Sequence, residues 1–460
     1  MSNPDAVLVD HRRSRRHIHI GRVTVFRRGA AWCLYFRERG KPRRFRVGPE
    51  RKLAEQKAAE INAHLAHGLP SAFEFQRTSV EELAGAWLEH HEFVARSSVA
   101  TVKRYRVAVE YLLRFVRQTR PGMMADEVTP PVTEEFVKYL RRVEVAPNGH
   151  PNAAKRNLRD KGVVFILGVC RSLFSFAARQ RRLPAYSRNP FGELGIERMR
   201  IEDAKPVAVL TAEEESRFLA ACDDWQFGIF FTLAFTGMRP GELCHLRVED
   251  LEASEGVLWI RNRRSLGWRT KSRHERRVPL FPELQTVLLQ RRGGRSRGVL
   301  FLRRRFASGN ERALLGDLSL PELERELARR LAAGREAQGA AWTRLAEEQA
   351  TKQLWRDAGM LPEKKLRTEF IKVARRIGRR DLTCPKLWRH QMATAMQEAD
   401  VDPFVRKEII GHTRLETTGL YTHTQRGALE RQMEKLLAVR KETLASVKGR
   451  LGQAPGSAAG

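Results

Sequence analysis

Apolar residues recur at every second position in three short stretches near the start of the chain. They recur at every third or fourth position through most of the remainder. Val23 and Val25 form the first alternating set, Trp32, Leu34 and Phe36 the second, Phe45 and Val47 the third. A period of two predicts strands, and turn residues separate them at Arg28-Gly29 and at Gly40-Lys41-Pro42. A helix is expected over 51–66, with Leu53, Ala58, Ile61 and Leu65 on one side. The predicted module is a three-stranded sheet plus helix over 21–70, preceded by a basic tail, 1–20.

Beyond the stretch 68–76 the period lengthens. Ser79 followed three residues later by Glu82 has capping-box spacing, and Val80, Leu83, Ala84, Trp87 and Leu88 make the stripe behind it. Further helices are expected over 99–118, 133–142 after Pro130-Pro131, and 155–180. Residues 77–200 therefore read as a helical domain. From 201 to 440 the pattern is mixed. A helix capped at Thr211 is followed by a nearly continuous apolar helix from Phe227 to Phe235. Two strands then lie within 256–262 and 275–281, joined by a long basic connection. Additional helices over about 303–380 look like an insertion. The stripe Leu429, Met433, Leu436, Leu437 and Leu444 predicts an amphipathic helix over about 427–447, running into a C-terminal tail assigned to 441–460. The fold class is multidomain α+β: a small sheet with a helix, a helical domain, and a mainly helical domain holding a small antiparallel sheet.

Charge changes this picture from a fold to a partner. The 460 residues include 85 Lys and Arg against 54 Asp and Glu, a formal net charge of +31. Between Arg12 and Lys52 there are 15 basic and two acidic residues. A field of that sign recruits polyanions, nucleic acid first. The predicted sheet has cations on its second face, and a sheet can enter the DNA major groove. Arg27, Arg37, Arg43, Arg44 and Arg46 are the residues expected to touch DNA there. Lys103, Arg104, Lys155, Arg156 and Arg159 lie mostly off the apolar stripes of the helical domain and are candidates for gripping phosphates. The five cysteines form no ligand spacing, and no apolar run approaches the roughly 20 residues of a membrane span. No cofactor, metal or membrane partner is expected, and the setting is expected to be cytoplasmic.

Tyrosine is scarce, with six in the chain, and Tyr421 stands alone in the last half. It lies nine residues after His412 in a short polar stretch. A phenol of pKa about 10 attacks a phosphodiester only with cations around the phosphate and help in losing its proton. Arg239, Lys271, Lys386, Arg389 and His412 are the candidates for that help.

These residues sit in recognisable company. Thr236-Gly-Met-Arg239-Pro-Gly-Glu242-Leu243 resembles the first arginine box of the tyrosine recombinases, the phage-integrase family. Lys386-Leu-Trp-Arg389-His390 resembles their second box. Ile410-Gly-His412 with Tyr421 resembles the third box and nucleophile, and Thr270-Lys271-Ser272 the hairpin lysine. By architecture, 21–70 is similar to the arm-type DNA-binding domain of lambda-type integrases. Likewise, 77–200 resembles their core-binding, SAM-like domain, and 201–440 their catalytic domain.

The resemblance implies roles. Arg239 and Arg389 would clamp the non-bridging oxygens of the scissile phosphate, and His412 would hydrogen-bond it. Tyr421 would attack phosphorus to give a 3′-phosphotyrosine, with Lys271 protonating the 5′ oxygen. Glu242 and His390 would support the first and second boxes. No metal or ATP is implied. Two positions depart from the pattern. Lys386 replaces the usual His, so it either accepts the tyrosyl proton as a neutral amine or acts only through its charge. Trp388 replaces Leu, a packing change. The implied function is site-specific recombination for a bacterial mobile element through a Holliday junction. It would use double-stranded DNA with core and arm-type sites, a homotetramer assembled through the C-terminal helix, and accessory DNA-bending or directionality proteins. A nucleoid-associated setting follows. The rival readings are DNA relaxation of the type IB topoisomerase kind, or an idle DNA-binding regulator.

Overall fold

The computed structural model describes residues 17–38, 40–67, 75–146, 152–184, 187–202, 208–411 and 426–451. The chain divides into two compact units, 1–205 and 206–460.

The first unit opens with an antiparallel sheet in the order β1 (His17–Ile20), β2 (Val23–Arg28), β3 (Ala31–Glu38), β4 (Lys41–Gly48). That is one strand more than the three expected. The His-Ile-His-Ile alternation of β1 lies within the stretch assigned to the basic tail, where charge hides it. Ile18 pairs with Val25 and Ile20 with Val23, so both isoleucines extend the apolar face. Gly21 makes the turn at φ 54°, and the side chain of Asn62 fills the space a Cβ would take there. The Asn62 side chain also accepts from Arg22 N at 2.9 Å, which fastens the turn to the helix. That helix, α1 (Arg51–Ala66), matches its expected span. It buries Ala54, Ala58 and Ile61, whereas Leu53, expected inside, is exposed.

A second core belongs to the helices α2 (Val80–Glu89), α3 (Val99–Thr119), α4 (Pro130–Arg142) and α5 (Asp160–Arg179). The Ser79–Glu82 capping box forms as its spacing predicted. Pro130 starts α4 earlier than expected, because proline suits the first helical turn. The last helix begins five residues later than expected. Arg156 and Asn157 instead form β6, paired with β5 (Glu144–Val145). By length and composition α5 could cross a membrane. Here Leu167, Cys170, Leu173 and Phe174 are fully buried in the core of this unit.

The second unit is built around α6 (Ala212–Ala220) and α7 (Asp224–Thr236). All residues from Gln226 to Thr236 are buried, so α7 is a central helix with apolar surface on every side. After α8 (Pro240–Cys244) comes the sheet β7 (Leu251–Glu252), β8 (Val257–Ile260), β9 (Arg276–Pro279), antiparallel in that order. There follow α9 (Pro282–Arg292) and α10 (Arg304–Ala307), then α11 (Leu320–Gln338), α12 (Arg344–Asp357) and α13 (Glu363–Arg376). The unit closes with α14 (Leu387–Glu398), α15 (Pro403–Ile410), α16 (Arg426–Val439) and α17 (Lys441–Leu451). Trp388 is fully buried and meets Phe218 edge-on at 5.1 Å. The ring fills the core, although its indole N–H has no hydrogen-bond partner among the described residues, which offsets part of the gain from burial.

The C-terminal end differs from expectation. The helix expected over about 427–447 is divided in two, and residues 441–451, assigned in part to a tail, form α17 with Thr443 and Val447 buried. Met433 and Leu436 of α16 are also buried, so the apolar stripe packs within its own unit. Arg440 pins the junction. It is 4% exposed, paired with buried Glu215, bonded to Ala234 O at 2.6 Å and stacked over Phe235. Docking of this helix on a neighbouring protomer would require that packing to be given up.

Candidate active site

The site begins where α7 ends. Gly237 takes a left-handed conformation (φ 59°) and caps the helix. A Cβ there would lie 2.9 Å from Met392 Cγ, so the turn also lets α14 approach closely. Two residues later Arg239 is the N-cap of α8, fixed by Pro240 in the first turn. Glu242 reaches back to it. Arg239 N donates to Glu242 Oε2 at 2.9 Å and Arg239 Nη1 to Oε1 at 2.8 Å.

Glu242 is 2% exposed and serves a second arginine. Arg276 of β9 donates through Nη2 to Glu242 Oε2 at 2.5 Å and through Nη1 to Oε1 at 3.3 Å. Its Nε also reaches Ile409 O at 2.9 Å. In the sequence Arg276 was only one of several cations around Lys271. The alternation Arg276-Arg277-Val278 carried the missed signal, since Arg276 shares the inward phase of fully buried Val278.

The third guanidinium is Arg389, near the start of α14 and 3% exposed. Its Nη1 donates to Gly237 O at 3.1 Å and Ile410 O at 2.5 Å, and its Nη2 to Gly411 O at 3.3 Å. Arg239 Nη2 donates to that same Gly411 oxygen, also at 3.3 Å. The carbonyls of 409–411 are those a helix end leaves without intrahelical partners. Gly411 itself is left-handed (φ 75°), and a Cβ on it would meet Arg276 Nη1 at 2.8 Å. Arg239, Arg276 and Arg389 thus converge on one carboxylate and the last turn of α15.

The charge does not balance. Three guanidiniums against one carboxylate leave an excess of two positive charges (3 − 1). Burial pushes Arg389 down to about 9, and Arg239 and Arg276 push the same way while Glu242 opposes them. Burial would raise the Glu242 carboxyl, but Arg276 beside it and the bonds from Arg276 and Arg239 hold it below the ordinary carboxylate range. The side chain of Arg239 is 22% exposed and opens the cluster to solvent. A half-dehydrated recess with unspent positive charge suits an oxyanion that accepts paired hydrogen bonds, such as a phosphodiester.

The other candidates lie around this centre. Lys271 is exposed on the connection between β8 and β9. Its neighbour Thr270 is held by Asn262, whose Oδ1 accepts from Thr270 N at 2.8 Å. Lys386 is exposed at the N-cap of α14. His390, one turn on, is pushed down by burial, by Lys386 and by Arg389. His412 and Tyr421 lie outside the described residues. Among the described residues no three His, Cys, Asp or Glu side chains gather as metal ligands.

The sheet of the first unit separates the residues expected to touch DNA. Arg44 pairs with Tyr35 and Arg46 with Cys33, so both alternate onto the face away from α1, as does Arg37. Arg44 lies 5.8 Å from the centre of the Tyr35 ring. Arg27 and Arg43 are in register with the helix-side residues Trp32 and Phe36 instead, at the ends of their strands. Arg43 is 3.8 Å from buried Glu38. Lys103 and Arg104 are exposed on α3, with Arg104 over the Phe165 ring at 4.4 Å. Lys155, Arg156 and Arg159 are exposed on or beside β6.

Residues 208–427 match the phage integrase family, the tyrosine recombinases. The chain is 24% identical over 342 residues to tyrosine recombinase XerC of Thermodesulfovibrio yellowstonii, covering 73% of this chain and 90% of the relative. Among solved structures it is similar to the Tn1549 transposon integrase in complex with a circular intermediate DNA. That match has a TM-score of 0.45 and 18% identity, over 78% of this chain and 99% of the other. It is also similar to a lambda integrase dimer bound to a core site, with a TM-score of 0.41 and 13% identity, over 85% and 92%.

Proposed function

We propose that this tyrosine recombinase cuts and rejoins duplex DNA for a mobile genetic element, with Arg239 and Arg389 as the clamp on the scissile phosphate. One observation carries this reading. Both guanidiniums meet at the carbonyl of Gly411, the residue before His412, while Glu242 orients Arg239 from behind. The clamp is therefore assembled before substrate arrives. Fixed donors aimed at growing charge are the largest source of rate in reactions of this kind.

In the reaction Tyr421 Oη bonds to phosphorus as the bond from phosphorus to the 5′ oxygen breaks. The phenolic proton leaves to a base, for which Lys386 at the start of α14 is the candidate in its neutral amine form, which becomes the ammonium as it takes the proton. Lys271 gives its proton to the departing 5′ oxygen. The phosphotyrosine keeps the bond energy, so a 5′ hydroxyl from a second duplex reverses the step without ATP. Exchange between duplexes calls for a tetramer on paired core sites. The cationic sheet would hold arm-type sites, and accessory DNA-bending or directionality proteins would set the direction. The setting would be the bacterial cytoplasm, at the nucleoid.

The test is a covalent trap. Incubated with nicked suicide DNA, the wild-type chain forms a protein–DNA adduct resistant to denaturation, and Tyr421→Phe forms none. A wild-type chain that binds DNA but yields no adduct would make it an idle regulator. Relaxation of supercoils without strand exchange would make it a topoisomerase.

A further inference from the structure

The helices α11 and α12 were the one segment whose sequence suggested no task. Their inner ends grip the connection that carries Lys271. That connection, 261–275, has two lobes. In the first, Arg263 and Trp268 bond each other backbone to backbone at 2.9 Å in both directions around a short turn at 264–266. The second is the turn at Thr270, where Arg273 N donates to Thr270 O at 3.0 Å and Thr270 is 1% exposed. Lys271 stands in this second lobe, three residues from Trp268.

The first lobe is clamped from outside. Trp355 of α12, 2% exposed, donates its indole N–H to Leu266 O at 3.0 Å. Gly267, at φ 64°, lies so close to Thr351 of α12 that a Cβ would come within 2.6 Å of its methyl group. Ser265 Oγ donates to Glu324 of α11 at 2.5 Å. Trp268 stacks on His245 with ring centres 3.7 Å apart and planes within 3°, and Trp355 meets the same imidazole edge-on at 4.9 Å. His245 Nδ1 bonds Gly241 O at 2.7 Å, inside the short helix that Arg239 caps. Burial pushes His245 down to about 4, so the ring is neutral at physiological pH and Nδ1–H donates to that carbonyl.

A single aromatic cluster, with Trp268 stacked on His245 and Trp355 edge-on to it, therefore joins three elements: α12, the Arg239 helix and the Lys271 connection. We propose that Trp355 is a positioning residue, and that the α11–α12 pair exists to hold Lys271 in register with Arg239 over one phosphate. This rests on the reading of Lys271 as the group that protonates the leaving 5′ oxygen.

Replacing the bridging 5′ oxygen of the substrate with sulfur separates the parts. A thiolate leaves without a proton, because a thiol is far more acidic than an alcohol. Single-turnover cleavage is measured for the full-length chain on oxygen and sulfur DNA. The ratio of the two rates within one preparation cancels any fraction that fails to fold. Lys271→Ala is expected to slow oxygen DNA by about a hundredfold or more and to regain the wild-type rate on sulfur DNA. Trp355→Phe keeps the ring but loses the N–H. It is expected to slow oxygen DNA by about tenfold and to recover likewise on sulfur DNA. Gly267→Ala, which pushes the lobe off Thr351, should follow the same pattern. If Lys271→Ala recovers but Trp355→Phe and Gly267→Ala stay slow on sulfur DNA, or cleave oxygen DNA normally, the positioning role is overturned while Lys271 stands. If Lys271→Ala does not recover, the acid assignment falls and the positioning role with it.

Discussion

The cationic sheet and the arginine cluster are both made of arginine, yet the two regions do different work. On the sheet, Arg37, Arg44 and Arg46 stand exposed along one face, each solvated and each contributing separately. In the second unit Arg276 and Arg389 are buried and Arg239 is partly so; Arg239 and Arg276 share Glu242, and the three together hold three successive backbone carbonyls, 409–411. An open array of the first kind would give an affinity for a polyanion that adds up and that salt screens. The second gives geometry, in which the loss of one member disturbs the others.

The sharpest way to break the comparison is Arg389→Ala. Cleavage should fall by roughly three orders of magnitude, the scale of losing a fixed donor to transition-state charge, while DNA affinity changes little. Single-turnover trapping beside a binding isotherm would show the split; equal loss in both would place Arg389 with the sheet residues. Next in size is Glu242→Gln, which leaves Arg276 and Arg239 without their shared anion. A loss of about 3–5 kcal/mol in stability is expected for such a broken buried pair, read by denaturant unfolding. Its pH signature has a definite sign. The Glu242 carboxyl is depressed in the folded chain, so its contribution is fully present above an unfolded carboxylate pKa of about 4.3 and is lost as pH falls through the lower folded value. The variant should lack that part of the acid sensitivity. The smallest effect belongs to the sheet. Arg44→Ala with Arg46→Ala should weaken binding to arm-type DNA and lower the salt dependence by about 0.9 for each phosphate no longer neutralised, with core-site cleavage unchanged.

The same contrast explains what could be read in advance. Elements fixed by local signals were legible: α1 over its full span, the Ser79 capping box, the N-cap at Thr211, and the apolar α7. Arg239, Glu242 and Arg389 were legible through their motifs. What escaped depended on distant partners. The strand β1 is hidden by charge and exists only because Val23 and Val25 pair with it. The β5–β6 pair is two residues a side, too short for any period to show. The break that divides the expected helix over about 427–447 into α16 and α17 falls at Arg440, whose partners Glu215, Ala234 and Phe235 lie far away in the chain. Arg276 looked like one basic residue among five, and only its phase relative to Val278 set it apart. The role of α11 and α12 was invisible because an indole N–H reaching a carbonyl 89 positions earlier leaves no local trace.

The backbone at Gly411 has one further consequence. A guanidinium carries five N–H groups, and Arg239 and Arg389 already lend some of theirs to the peptide oxygen of that residue. An incoming phosphate must draw on the same ten hydrogens. Occupancy of the recess and the backbone at the end of α15 would thereby be coupled through a common pool of protons, so that an anion seated between the two arginines would be felt at the peptide oxygen of Gly411.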